Sequence, residues 1–383
     1  MSDRILTTHA GSLPRPLALT GLYARSAQGG EVNTAELNEA GRDALFHVLE
    51  QQSENGVDIA NNGEQQREAF FLYLRHRLTG LGGRWTRPPR AELISHPDFA
   101  EMMKEQASLR PVVSNMEPPK AIGAISHAKP EACEQECSDF DEALKSKNYE
   151  FTRTFLTAPS PGIVCAAMKN EFYDNEEAYL ADLAKALRVE YEIILAHGHD
   201  LQLDCPELGL EGHLTYNGRP KEFLEFVERA IHAIAQAIEG LPSDRIRLHL
   251  CWGNVESPHD HDTPLGDFWH IVKQAPVGGF VLPFANPRHA HEWRVLRDSP
   301  PKDNQFIAAG VIDTLTNFVE HEQVVADRLE NVARAIGDPG RVIACTDCGF
   351  DTSAGLGRVA PSVVWSKFRS MAKGAEIASK ILF

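Results

Sequence analysis

Short apolar, β-branched runs alternate with longer segments of helical periodicity along the whole chain. Each run is bounded by Gly, Pro, Asn or Asp, which is typical of strands that end in turns. The eight runs lie at 5–9, 57–61, 153–158, 201–204, 247–252, 280–284, 306–311 and 342–346. Strand followed by helix, eight times, predicts the α/β class and a (β/α)8 TIM barrel.

The segments between the runs carry apolar residues at helical spacing. In 175–197, for example, Tyr179, Leu183 and Leu187 belong to one stripe that we expect to pack on the outside of the barrel. The pattern predicts helices at 34–55, 175–197, 221–239, 314–336 and 362–382. The region from about 64 to 150 is too long for one crossover. We interpret it as an elaborated excursion between strands two and three, with a hairpin at 121–126 and a helix at 133–147, inside a single domain spanning 1–383.

The amino-acid composition limits the kinds of molecule that the protein is expected to bind. Asp plus Glu is 54 against 38 for Lys plus Arg, and the net charge of −16 argues against nucleic acid or an anionic membrane surface. No run reaches the ~18 apolar residues that span a bilayer, and the first residues lack the pattern of a secretory signal. A cytoplasmic location is therefore expected. In that reducing compartment, the seven cysteines are better interpreted as metal ligands or reactive thiols than as disulfides.

Reactive side chains are concentrated at the predicted strand ends, where barrels carry their chemistry. His249 and Cys251 are two residues apart on the fifth predicted strand, so their side chains share a face and both project into the lumen. Cys345 and Cys348 on the eighth strand lie at the same end of the barrel. A set of one imidazole and several thiols favours Zn²⁺ over hard cations. The alternative is that these cysteines are small buried apolar residues, as free cysteines usually are.

Six motifs occur in order along the chain: THAGSLPRP, GEQQR, LQLDCP, LHLCWGN, FANPRHAHEW and TDCGF. Together they resemble the cobalamin-independent methionine synthase family over the whole chain. The resemblance is to the C-terminal catalytic barrel of the long enzymes and to stand-alone barrels, a superfamily that includes epoxyalkane:coenzyme M transferases. It implies Zn²⁺ as cofactor, a small-molecule thiol substrate such as homocysteine, and an alkyl donor of the folate, corrinoid or epoxide type.

The resemblance also assigns residues. Its zinc ligands fall on His249, Cys251 and Cys348. Its residues for an amino-acid substrate fall on Ser12, Glu64 and Asp204, whose carboxylates would hold an ammonium group.

Further residues of these motifs are expected at the site. Glu64, Asp204 and Asp347 of the retained Asp-Cys-Gly motif are predicted to be catalytic. Arg15 is expected to clamp a substrate anion, and Asn286 to line the pocket.

Two positions depart from the family pattern. Pro283 stands where stand-alone relatives carry a glutamate ligand, so Cys345 is the expected fourth ligand, with Glu292 or His289 as alternatives. Leu315 stands where the long enzymes carry a histidine that protonates folate. Either Asp313 or His321 then supplies the proton, or the donor is not methyltetrahydrofolate.

The expected function is zinc-dependent transfer of a methyl or other alkyl group to a thiol. Two alternatives remain open: opening of an epoxide by a coenzyme M-type thiol, and a barrel that has lost catalysis and keeps a structural metal site. The sequence PHDHD at 258–262 resembles a metal motif in isolation. We expect it to be a polar loop that is solvated or closes over the site.

Overall fold

The computed structural model describes residues 3–107 and 112–383. Its strands are β1 (Leu6–Thr7), β2 (Ile59–Ala60), β3 (Leu81–Gly82), β4 (Lys120–Ala121), β5 (Arg153–Pro159), β6 (Asp200–Asp204), β7 (Ile246–His249), β8 (Gly279–Pro283), β9 (Phe306–Ile312) and β10 (Val342–Thr346). Eight of them form one parallel sheet in the order β1-β10-β9-β8-β7-β6-β5-β2. These eight correspond to the eight predicted runs.

The barrel closes between its two end strands, β1 and β2. The backbone N–H of Asp58 donates to the carbonyl of Thr7 at 3.1 Å, and the N–H of Thr7 donates to the Asp58 carboxylate at 2.9 Å. The predicted (β/α)8 TIM barrel is therefore confirmed, and the carboxyl ends of its strands meet at one rim.

Helices surround the strands, as the apolar stripes predict. They are α1 (Leu17–Ala27), α2 (Thr34–Glu54), α3 (Ala91–Ser95), α4 (Pro97–Ala107), α5 (Pro130–Lys145), α6 (Pro161–Ala167), α7 (Glu176–Ala196), α8 (Glu207–Leu210), α9 (Pro220–Ala237), α10 (Leu265–Val272), α11 (Trp293–Asp298), α12 (Glu322–Ile336) and α13 (Pro361–Leu382). Within the described residues, none of these helices has the length and hydropathy needed to cross a membrane.

One predicted helix begins later than expected, at Glu322 instead of residue 314. Asp313 is the cause, because its carboxylate accepts the N–H groups of Leu315 and Thr316 and folds the segment into a turn. His321 then caps the helix by accepting the N–H of Gln323. The prediction ignored this competition between side-chain and helical hydrogen bonds.

The excursion between β2 and β5 contains β3, β4 and the helices α3, α4 and α5. The predicted local hairpin at 121–126 is wrong, because Ala121 pairs with Leu81 in a two-stranded antiparallel sheet. The helix predicted at 133–147 is found as α5. The excursion thus has regular secondary structure of its own and packs beside the barrel mouth.

Buried charges fasten the excursion to the barrel. Arg77 bonds Glu136 of α5 at 2.8 Å and Glu190 of α7 at 3.1 Å. Arg67 bonds Glu136 at 2.8 Å and donates to the carbonyl of Thr157 on β5 at 2.8 Å. Burial alone would raise the pKa of Glu190, but Arg77 and its other partners hold that pKa well below the usual range.

Removing one charge of this network leaves its partner buried and unpaired. We expect Glu190→Gln to lower the free energy of unfolding by about 3 kcal/mol, as measured by urea denaturation. The control is Glu192→Gln, an exposed position on the same helix, where a change below about 0.5 kcal/mol is expected. Equal stability of the two variants would contradict the assignment.

Candidate metal and substrate site

One imidazole and two thiols converge at the rim of the barrel. His249 ends β7, Cys251 follows it by two residues, and Cys348 follows β10. One potential ligand atom from each lies within 4.8 Å of the other two, and all three residues are buried. The structure therefore brings together the three residues that the resemblance assigns to zinc.

Asp204 orients His249. The two residues are register partners on the neighbouring strands β6 and β7, and His249 Nδ1 lies 3.1 Å from the Asp204 carboxylate. His249 Nε2 is buried and has no hydrogen-bond partner among the described residues. Burial lowers the pKa of His249, but Asp204 and Cys251 together raise it to about 10. A carboxylate behind a histidine whose other nitrogen is free is the usual second partner of a metal-bound imidazole.

The two thiols perturb each other. Contact with Cys348 lowers the pKa of Cys251 well below its ordinary value, and His249 lowers it further. The same contact raises the pKa of Cys348 far above the usual range. An unpartnered imidazole nitrogen beside two sulfur atoms, one of them poised as thiolate, fits Zn²⁺ as a donor set. Three protein ligands are typical of zinc sites that keep a position open for substrate.

Cys345 does not belong to this set, which corrects its assignment as fourth ligand. Its side chain packs with Ala10, Val281 and Ala308 in an apolar part of the interior. Burial raises the pKa of its thiol to about 12. Cys345 and Cys348 are three residues apart, and Cys348 lies beyond the end of β10, so strand alternation does not place the two thiols on one face.

The alternatives for a fourth ligand are also placed elsewhere. Pro283, at the end of β8, carries no ligand atom. His289 and Glu292 bond each other at 2.9 Å, and His289 belongs to a different group of buried residues with His259 and Asp262.

Two carboxylates lie beside the metal-ligand candidates. One oxygen of Glu64 accepts the Thr157 hydroxyl at 2.9 Å, while the other is buried without a hydrogen-bond partner among the described residues. Burial and the nearby charge of Asp204 raise the pKa of Glu64 to about 7. Gly11 permits this approach, because a Cβ there would lie 2.7 Å from a Glu64 oxygen. The pair carries negative charge that a cationic ligand would neutralise.

A single cavity of about 360 Å³ holds both groups. Its polar lining includes Ser12, Glu64, Asp204, His249, Cys251 and Cys348. The excursion supplies much of its apolar wall, with Phe70, Phe71, Leu93, Phe99 and Met103. The excursion is therefore part of the site as well as of the scaffold.

Asp347 has a structural position, which corrects its assignment as catalytic. Its carboxylate accepts the backbone N–H groups of Phe284, Ala285 and Asn286 at 3.0, 2.9 and 2.6 Å. These bonds fix the turn after β8. Burial nevertheless raises the pKa of Asp347 to about 7. Within the described residues, Asp347 does not line the cavity.

Arg15 and Asn286 are likewise committed to the protein, which corrects their assignment to substrate. Arg15 donates to the Asp351 carboxylate at 3.0 Å and to the carbonyl of Glu64 at 2.8 Å. The Asn286 side chain accepts the N–H of Arg288 at 2.9 Å. Both residues hold the loops that carry the site.

Sequence reasoning missed Arg90, which the excursion inserts into the cavity wall. Its NH1 atom is buried without a hydrogen-bond partner in the described part of the chain, and Glu92 lies 3.8 Å away. Position 253 must be small, because a Cβ there would lie 3.0 Å from Arg90 NH2. No motif in the excursion indicated this residue.

Comparison with known proteins shows which proteins the chain is similar to. No protein-family model matches the chain. It is 25% identical to the methionine synthase of Pyrococcus furiosus over 347 residues, which cover 90% of this chain and 86% of that protein. It is 23% identical to the methionine synthase of Pyrococcus horikoshii over 377 residues, with 98% and 93% covered.

Solved structures agree in fold. The chain resembles a B12-independent methionine synthase from Shewanella sp. W3-18-1 in complex with selenomethionine, with a TM-score of 0.72, 22% identity and 99% of both chains covered. It also resembles a putative vitamin-B12 independent methionine synthase from Listeria monocytogenes, with a TM-score of 0.65, 21% identity and 98% of both chains covered. The chain is therefore similar in sequence to methionine synthases over nearly its full length, and it shares its fold with B12-independent methionine synthases.

Proposed function

We propose that the protein transfers a methyl group to the thiol of homocysteine, with Zn²⁺ held by His249, Cys251 and Cys348. The observation that carries the proposal is the sharing of one cavity by the thiol–imidazole set and the Glu64–Asp204 pair. Asp204 joins the two, because it also bonds His249. Relatives named methionine synthase support the same activity.

The carboxylates suit an amino-acid substrate. Glu64 and Asp204 lie together in a buried place where two negative charges repel each other. The ammonium group of homocysteine would neutralise that charge. Its attraction to two carboxylates would offset the free-energy cost of removing it from water. Ser12, which lines the same cavity, offers a hydroxyl to the substrate.

The remaining residues prepare the sulfur for transfer. When bound, Zn²⁺ lowers the pKa of a ligated thiol, so that thiolate is available near neutral pH. Asp204 holds one proton of His249 on Nδ1, so a metal ion at Nε2 would displace only the second proton of the imidazolium. The apolar wall from Phe70 and Phe99 limits water in the cavity, which strengthens the electrostatic interactions inside.

The side chains near the loop after β9 that could donate a proton do not favour methyltetrahydrofolate as the methyl donor. Asp313 is bound to Leu315 and Thr316 within its own turn, and His321 caps α12. Neither lines the cavity in the described part of the chain, and Leu315 carries no proton. A leaving group that departs without protonation, such as a corrinoid cobalt, fits this site better than a folate amine.

Arg90 favours a second candidate function, because a buried guanidinium whose NH1 atom lacks a hydrogen-bond partner among the described residues would suit the sulfonate of a coenzyme M-type thiol in epoxide opening. The Glu64–Asp204 pair disfavours that substrate, because two carboxylates repel an anionic sulfonate. Loss of catalysis is not favoured, because structural zinc sites are closed by four protein ligands and three converge here among the described residues.

Replacing either thiol of the set tests zinc binding directly. We expect Cys251→Ser and Cys348→Ser each to lower zinc content by about one ion per chain and to abolish methylation of homocysteine. The matched control is Cys345→Ser, which removes a buried thiol outside the set and should retain that zinc. Metal analysis of the purified variants decides the question, and a zinc content equal to that of the wild type in both serine variants of the set refutes it.

The raised pKa of Glu64 gives a pH prediction. The folded state binds this proton more tightly than the unfolded chain, so the free energy of unfolding falls as pH rises from about 4.5 to about 7. In metal-free protein, Glu64→Gln should abolish this fall and gain roughly 3 kcal/mol relative to the wild type by pH 8. The same variant should bind homocysteine more weakly. Parallel pH profiles for the two proteins would rule out the assignment.

The choice of thiol separates the two candidate functions. The wild type should methylate homocysteine and leave coenzyme M unreacted, and Arg90→Gln should change the KM for homocysteine by less than about threefold. Reaction with coenzyme M that Arg90→Gln removes would instead establish the sulfonate alternative.

A further inference from the structure

The PHDHD segment contributes to a buried cluster outside the cavity lining already described. We call His213, His259, Asp262 and His289 the histidine–aspartate cluster. All four residues are buried, whereas Asp260 and His261 of the same segment are exposed. Potential ligand atoms of His259, Asp262 and His289 lie within 4.8 Å of one another. His213 approaches the same carboxylate from outside this tighter group.

Asp262 stands at the centre of the cluster. One of its oxygens lies 2.7 Å from His259 Nδ1 and 2.8 Å from His289 Nε2. Its other oxygen lies 3.2 Å from His213 Nδ1. The three rings therefore each direct one nitrogen at a single carboxylate.

The outer nitrogens of the rings also face acceptors. His259 Nε2 lies 2.8 Å from the carbonyl of Val255, and His289 Nδ1 lies 2.9 Å from the carboxylate of Glu292. His213 Nε2 lies 3.7 Å from the carboxylate of Glu92. A metal-bound histidine typically donates its outer N–H to such a carboxylate or carbonyl.

A neutral imidazole has one N–H and one lone pair, so it cannot donate to two acceptors. If each outer nitrogen keeps the proton, three lone pairs face the Asp262 carboxylate, which is repulsive in a buried site. Protons on the inner nitrogens would instead turn the outer lone pairs of His259 and His289 toward the Val255 carbonyl and the Glu292 carboxylate. Full protonation would place three imidazolium ions in the interior. One divalent cation relieves it with neutral rings.

His213 provides an independent observation. Its side chain is fully buried, and neither ring nitrogen has a hydrogen-bond partner among the residues that the structure describes. Buried polar atoms without partners are rare and often mark an ion or water. Its Nδ1 atom lies 3.2 Å from the Asp262 carboxylate.

We propose that the histidine–aspartate cluster binds a divalent first-row transition-metal ion through His259, His289 and Asp262, with His213 facing the other oxygen of the carboxylate. Two nitrogens and a carboxylate form a harder donor set than the thiol–imidazole site. Because these ligands are buried outside the cavity lining described above, the ion is structural. The inference does not rest on the proposed function.

The ion would hold the wall of the cavity together. The cluster joins the loop after β7 to the loop after β8 and to the turn after α8. Val255, Ser257 and Glu92 line the cavity, and Ser257 donates to Glu92 at 3.0 Å. His289 also stacks on Trp252, with ring centroids 3.8 Å apart, so the cluster supports the segment that carries Cys251.

The test uses the full chain with Cys251→Ser and Cys348→Ser, which removes the thiol site and leaves the cluster. After removal of metal, this protein is titrated with Co²⁺. We expect one Co²⁺ per chain, with visible ligand-field absorption and without sulfur-to-metal charge transfer. Adding His259→Ala or His289→Ala should abolish binding, whereas adding His261→Ala, the exposed histidine of the same motif, should preserve it.

A second measurement covers variants that fail to fold. Removing metal from the double cysteine variant should lower the midpoint of thermal unfolding, and adding Zn²⁺ should restore it. The proposal is overturned if the double cysteine variant binds no Co²⁺ and its thermal midpoint is unaffected by metal. That outcome would leave the thiol site untouched, since its own test uses the wild type and single cysteine variants.

Discussion

The hydrogen bond between Asp204 and His249 is the interaction on which the functional end of the barrel depends. It forms because β6 and β7 are parallel neighbours that place these two residues in register. Asp204 thereby acts in two places: it orients the imidazole that faces Cys251, and it adds charge beside Glu64. A shift of either strand by one residue would turn its own side chain of the pair to the other face and break the hydrogen bond. The thiol–imidazole set and the carboxylate pair of the candidate site are therefore built on a single strand pairing.

The parts of this site that follow directly from strand ends could be predicted from the sequence. His249, Cys251 and Asp204 lie at or just beyond the ends of strands whose apolar patterns are clear, and a barrel gathers such ends at one rim. Cys348 follows the same logic, since it stands two residues after β10. The eight strands were predictable for a related reason, because burial on both faces produces continuous apolar runs.

What the sequence could not supply were the partners of side chains that lie far apart along the chain. Asp347 belongs to a family motif, yet it binds the turn after β8. Arg15 stands in a motif loop, yet it bonds Asp351. Cys345 packs with Ala10, Val281 and Ala308 and lies outside the thiol–imidazole set. Arg90 reaches the cavity only because the excursion folds back over the barrel mouth, and no local periodicity reports that contact.

The excursion also helps the barrel to keep the buried Glu64–Asp204 pair near its mouth. Arg67 and Arg77 are fully engaged with Glu136 and Glu190, so this part of the excursion is fixed by pairs that are costly to break. Glu64, by contrast, keeps one oxygen without a hydrogen-bond partner among the described residues. A region fixed by ion pairs can therefore hold this carboxyl in a place where burial and Asp204 raise its pKa. For the proposed amino-acid substrate, the ammonium group would gain affinity from the negative charge that the paired residues of the excursion hold in place.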